Sequence, residues 1–271
     1  MLSNKNQMQP EVMTAIAALC RELKIPALFE NLQKQLDDPT YQSLSFLRRL
    51  EEMLQAEKNS RHEKRIKRLM KESEINDTMP CLERLTYEPS RGLDRDQVES
   101  LADCVWITQE HPLNVIITGM AGTGKTWLAK SLARQAVQKS IPTRYWRTPQ
   151  LIEQIITARK EGTPAQFRDR TNSRRLLVLD DFGMTPMDEQ VCDDFLSLLD
   201  ARAKKGSLLI ASQRPFREWY EYLGSNYYAD AIIDRLKNTS YRIELKGRSL
   251  RESTQEAQMV NKRKSKKTLT K

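Results

Sequence analysis

Residues 119–126 read GMAGTGKT, which meets every fixed position of the phosphate-binding pattern G-x-x-x-x-G-K-[S/T]. The pattern works only between a strand and a helix, and the flanks offer both. Val115, Ile116, Ile117 and Thr118 form a short β-branched run that reads as a buried strand. After the loop, Leu128, Ala129, Leu132, Ala133 and Ala136 recur at helical spacing. Gly119, Gly122 and Gly124 let the backbone turn its N–H groups inward around phosphate oxygens, and the new helix adds the positive end of its dipole. Lys125 is expected to reach the β- and γ-phosphates, and the Thr126 hydroxyl to sit on Mg²⁺. The expected phosphate-binding set is Gly119, Met120, Ala121, Gly122, Thr123, Gly124, Lys125, Thr126 and Trp127.

Downstream, strand and helix patterns alternate. Strands are expected at 143–146, 176–179, 208–211 and 241–245, with helices between them. This alternation implies an α/β fold with a parallel sheet, whose ligands sit at the carboxyl ends of the strands. Asp180 and Asp181 close the run Leu176-Leu177-Val178-Leu179. Alone, two aspartates read as a turn or a helix cap. Downstream of a P-loop and behind four apolar residues, they read as a Walker B site. Asp180 is assigned to Mg²⁺ and Asp181 to orienting or deprotonating the attacking water.

Residues 1–75 read as a small all-helical domain and 76–93 as a linker containing Pro80, Pro89 and Gly92. An ATPase-type core is expected over 94–251, with one helix running from the N-cap Asp94 to about Gln109. A basic tail, 252–271, is expected to be disordered. The formal net charge is +9, and residues 246–271 carry most of it, with nine basic against two acidic side chains. In the helical domain, Arg61, Lys64, Arg65, Arg68 and Lys71 share one helical face. That stripe is either a solvated face or a surface for a phosphate backbone. No apolar run approaches the roughly 18 residues of a membrane span. The N-terminus lacks the apolar core of a secretory signal, so a cytoplasmic protein with reduced cysteines is expected.

Five segments carry a family resemblance. The order P-loop, extra helical piece, Walker B and polar residue after a fourth strand resembles the AAA+ ATPases. Ile210-Ala211-Ser212-Gln213-Arg214-Pro215-Phe216-Arg217-Glu218-Trp219 looks like the sensor-1 segment of the IstB-type insertion-sequence helper ATPases. Ala229-Asp230-Ala231-Ile232-Ile233-Asp234-Arg235-Leu236 resembles their arginine-finger segment, and 243–251 is similar to their sensor-2 segment. Asp180-Asp181-Phe182-Gly183 and Arg91-Gly92-Leu93-Asp94 also fit. One departure is Arg248, where family members usually carry Glu.

The resemblance implies an ATP- and Mg²⁺-dependent ATPase, related to the DnaC-type helicase loaders. It implies self-assembly with ATP, binding to double-stranded DNA with little sequence preference, and cooperation with a cognate transposase. By position, it makes Gln213 sensor 1, Arg235 an arginine finger acting on a neighbouring subunit, and Arg251 sensor 2. A helicase loader is the alternative, since the core motifs hardly separate the two. A small-molecule kinase would need an acceptor pocket that the sequence does not show.

Overall fold

The computed structural model describes residues 3–75 and 80–250. The sensor-2 candidate Arg251 and the tail 252–271 lie outside the described residues. The chain forms two compact units, divided between Arg68 and Leu69.

The first unit is helical: α1 (Ser3–Glu22), α2 (Pro26–Asp37) and most of α3 (Phe46–Ser73). Pro26 opens α2, where its missing N–H costs nothing. Glu57, buried on α3, accepts the Ala27 N–H at 3.0 Å and the Arg61 Nε–H at 2.7 Å. Arg61 also donates to the Lys24 carbonyl at 3.1 Å. Burial opposes ionisation of Glu57, yet the Arg61 and backbone N–H donors outweigh it and hold its pKa below the usual value. The expected helical periodicity is present, but it buries little. Cys20, Ala27 and Met53 are buried, while Val12, Leu19, Leu23, Leu47 and Leu54 remain exposed. So few helices have too little interior to cover a whole apolar stripe.

In the second unit, Asp94 caps α4 (Arg95–Ala102) by accepting the N–H groups of Asp96 and Gln97. The single helix expected to run to Gln109 is broken. Cys104 takes a left-handed conformation, φ +59°, and α5 (Val105–Thr108) starts afresh. The break turns Trp106 inward, where its Nε1–H donates to the Leu101 carbonyl at 2.9 Å. The core then runs β1 (Asn114–Gly119), α6 (Lys125–Gln138), β2 (Thr143–Arg147), α7 (Thr148–Lys160), α8 (Pro164–Asn172) and β3 (Leu176–Phe182). It continues through α9 (Glu189–Arg202), β4 (Ser207–Ser212), α10 (Trp219–Tyr222), α11 (Tyr227–Lys237) and β5 (Ser240–Leu245).

The strands form one sheet in the order β2-β3-β4-β1-β5, every neighbouring pair parallel. Its two faces carry separate cores. Ile116, Leu177, Leu179 and Ile210 pack with Leu151 of α7, Phe195 of α9 and Ile232 of α11. Val115, Ile117, Val178, Leu209 and Ile243 pack with Val98, Trp106 and Leu132 from α4, α5 and α6. Alternation along each strand therefore feeds both faces, which is why the strands read as continuous apolar runs.

Of the charged side chains described in this unit, Arg202 is the most deeply buried. Arg202, 2% exposed at the end of α9, donates to the carbonyls of Arg174, Arg175 and Ser207 and to the Asn172 amide oxygen. It thereby ties the start of β3 to the start of β4. Burial pulls its pKa down to about 9, which leaves it charged at neutral pH.

Candidate functional site

The parallel sheet brings the carboxyl ends of its strands into one row. In register, Thr118 of β1 faces Ser212 of β4, Phe182 of β3 faces Ser212, and Arg147 of β2 faces Asp180. The loop between β1 and α6 needs its glycines for two reasons. Gly119 and Gly122 have φ of +150° and +79°, which disfavours a side chain. A Cβ on Gly119 would also lie 2.3 Å from the Leu245 carbonyl oxygen, and one on Gly122 would lie 2.1 Å from the Ser249 Oγ.

The loop is braced from inside. Met120 O accepts the Thr123 hydroxyl at 2.8 Å and the Lys125 Nζ at 2.7 Å. From outside, Arg91 Nη2 donates to Thr123 O at 2.6 Å, and the Leu250 N–H donates to Gly122 O at 3.0 Å. Arg91 lies in the segment read as a linker, yet it is buried against the loop.

The two aspartates separate at an irregularity in β3, where the register with β4 slips between Leu179 and Phe182. Asp181 sits there with φ +58°, a conformation that Asp tolerates better than most residues. The expected strand end at Leu179 thus becomes a strand through Phe182, whose ring returns to the core against Trp219 at 4.5 Å. Asp180 is 3% exposed. Its carboxylate accepts the Tyr145 hydroxyl at 2.7 Å and the Asp181 N–H at 2.9 Å. Burial, reinforced by the charge of Asp180, raises the Tyr145 pKa far above its usual value, so Tyr145 stays a donor. Asp181 points the other way and meets Arg147 through Nε and Nη2, each at 3.0 Å.

These groups surround a cleft of about 290 Å³. Gly122, Lys125, Thr126, Lys130, Asp181 and Gln213 are among its lining residues, with Pro80 and Leu250 as apolar walls. Thr126 and Asp181 on the wall, with Asp180 buried at the same strand end, offer the oxygen donors that suit Mg²⁺. Gln213 follows β4, its amide 3.9 Å from the Met184 sulfur. Ser212 Oγ donates to Phe182 O at 2.7 Å, which fixes the end of β4, just before Gln213, to the end of β3, just after Asp181.

Arg235 is not in this cleft. It lines a second cavity with Asn114, Gly206 and Thr239, at the amino-terminal ends of β1, β4 and β5. A six-residue strand spans about 20 Å. Arg235 is therefore a strand's length from the phosphate loop of its own chain.

Sequence reasoning missed Tyr145, Arg147 and Lys130. The first two lie on β2, Arg147 at its end, and nothing local shows that β2 neighbours β3. Tyr145→Phe would remove a donor from a buried carboxylate. It is expected to destabilise the protein by about 1–2 kcal/mol and to lower the Tm by a few degrees. Thermal unfolding of the variant beside wild type measures this, and an unchanged Tm would count against the bond.

A phosphate loop, a strand-end aspartate pair and a polar residue after the next strand, on a β2-β3-β4-β1-β5 parallel sheet, define an AAA+-type P-loop nucleotide-binding protein. More narrowly, the family model of IstB-like ATP binding proteins matches residues 18–258, and the chain belongs to that family. Among curated relatives, an insertion-sequence ATP-binding protein, y4pL, of Sinorhizobium fredii is 38% identical over 62% of this chain and 68% of its own length. The ATP-binding protein of insertion sequence IS1162 from Pseudomonas fluorescens is 34% identical over 72% of this chain and 83% of its own. Among solved structures, AMPPCP-bound DnaA from Aquifex aeolicus shares the fold, with a TM-score of 0.54 and 19% identity over 66% of this chain and 54% of that one. No described helix is long and apolar enough to cross a membrane.

Proposed function

We propose that this protein is an ATP-hydrolysing helper of transposition that assembles on duplex DNA and engages the transposase of its insertion sequence. What carries the reading is the division of the site: Lys125, Thr126, Asp181 and Gln213 line one cleft, while Arg235 stands at the far end of the same strands. The family and its insertion-sequence relatives support the biological setting.

In this reading the loop N–H groups of 119–127 wrap the ATP phosphates and Lys125 bonds the β- and γ-phosphates. Mg²⁺, when bound near Thr126 and Asp180, neutralises phosphate charge. Asp181 accepts the proton of the attacking water, and Gln213 holds that water in line. Arg235 of an adjacent subunit stabilises the charge that develops on the transferred group. Arg251 is assigned to sensor 2 by family likeness alone. The experiment is to follow ATP turnover, assembly on duplex DNA and transposase stimulation together. Assembly that ignores nucleotide, or a transposase that ignores this protein, would defeat the proposal.

DNA contact is assigned to the exposed cations Lys64, Arg65 and Arg68 of α3. Arg61 belongs to the same stripe, but its bonds to Glu57 and Lys24 make it a brace of the helical unit. Its replacement would therefore confuse binding with stability. Replacing Lys64, Arg65 and Arg68 by Ala together is expected to weaken binding to unrelated duplexes alike. It should also flatten the slope of log affinity against log salt by up to about 2.7, at about 0.9 per phosphate contact. A salt titration on several duplexes measures this, and an unchanged slope would reduce the stripe to a solvated face.

A further inference from the structure

Arg235 reaches the surface at the amino-terminal end of the sheet, but it is not a loose side chain. Its Nε and Nη2 meet the two carboxylate oxygens of Asp200, the Nη2 contact at 3.1 Å, and its Nη1 donates to the Ala231 carbonyl at 3.0 Å. Asp200 holds Arg235 as a cation, raising its pKa further. Both residues stand on helices that the core holds in place. Leu196 and Leu199 of α9 pack in the same cluster as Ile232 and Leu236 of α11. Both side chains remain partly exposed, 39% for Arg235 and 51% for Asp200. An ion pair this exposed adds little to stability, so its value lies in the orientation it imposes.

A guanidinium has five N–H donors. Asp200 takes one on Nε and one on Nη2, and Ala231 takes one on Nη1. One N–H remains on each terminal nitrogen, a pair able to bind a phosphoryl group end-on. We infer that Asp200 is the positioning residue for Arg235. It grips the side of the guanidinium and presents the end to a nucleotide held by a neighbouring copy of this chain. The inference rests on the proposed role of Arg235 as an arginine acting between subunits, and adds the residue that makes it ready to act. A pre-oriented side chain loses less freedom on meeting its target, so the benefit appears in turnover rather than in nucleotide binding.

The test uses full-length protein with duplex DNA and compares Asp200→Asn, Asp200→Glu, Arg235→Ala and the double variant Asp200→Asn with Arg235→Ala. Nucleotide titration, assembly concentration, unfolding temperature and ATP turnover are measured on each. Asp200→Asn is expected to keep nucleotide affinity, KM, assembly and unfolding temperature, and to lose about five- to tenfold in kcat. Asp200→Glu should recover part of that loss. In the Arg235→Ala background, Asp200→Asn should remove nothing more. Mixing Asp200→Asn subunits with an excess of Lys125→Ala subunits should restore turnover at the Asp200→Asn sites, because the neighbour then supplies an intact Asp200–Arg235 pair. Turnover at or above the wild-type level in Asp200→Asn, a loss that persists when Arg235 is already Ala, or no rescue in confirmed mixed assemblies would each overturn the inference. Wild-type turnover in Arg235→Ala would instead remove the reading beneath it.

Discussion

Lys125→Ala is expected to weaken ATP binding by about 100-fold or more. Lys125 is the first residue of α6 and is 8% exposed, so its stem is fixed and its ammonium sits at the mouth of the loop. The other cations near the cleft are engaged elsewhere. Lys130 lies over the Tyr145 ring at 5.2 Å, and Arg147 is paired with Asp181. A hydrogen bond to a charged group contributes about 1.5–3 kcal/mol, and Lys125 is positioned to make such bonds to two phosphates. Asp181→Asn provides the contrast. Asn also tolerates the left-handed backbone at this position, so the fold and ATP binding should survive while turnover drops by about 10²–10⁴ through loss of the proton acceptor. Nucleotide titration and phosphate release separate the two effects. Retained affinity in Lys125→Ala would undo the assignment of the loop.

Arg202→Ala is expected to cost about 3–5 kcal/mol of stability with no direct effect on the cleft. Four acceptors converge on this guanidinium: the carbonyls of Arg174, Arg175 and Ser207 and the side-chain oxygen of Asn172. The Arg175 carbonyl keeps a second donor in the Ser207 N–H. Each buried acceptor left without a donor costs about 1–3 kcal/mol, and the vacated volume adds a cavity term. At about 2–4 °C per kcal/mol, the Tm should fall by roughly 6–20 °C. A shift under 2 °C would mean that water replaces the guanidinium at no cost.

The phosphate loop, the strand pattern and the aspartate pair were legible because each is encoded locally, by glycine spacing, apolar runs and strand ends. What escaped depends on neighbours in space. Tyr145 and Arg147 matter only because β2 lies beside β3, an order that follows from how the crossover helices pack. Arg91 sits in a stretch rich in Pro and Gly that reads as a connector, and only the folded chain brings its guanidinium to Thr123. The break at Cys104 was invisible because the apolar periodicity continues through it, while the inward turn of Trp106 decides the backbone. Arg61 gains a second role in the folded chain. It counts as one more cation in the stripe until Glu57, one helical turn earlier, is seen to hold it.

The separation of Arg235 from the phosphate loop of its own chain has a consequence for symmetry. If Arg235 serves a neighbour as proposed, each subunit receives at one end of its strands and donates at the other, and the contact joining two copies is head-to-tail. Two subunits related by a two-fold axis cannot complete each other's sites through it. A heterologous contact of this kind either closes into a ring or continues as a helix. In a ring every site gains an arginine, whereas in an open helix one terminal subunit always lacks a donor. Turnover per subunit would then rise with the length of the array, and a growing end would differ chemically from every other position.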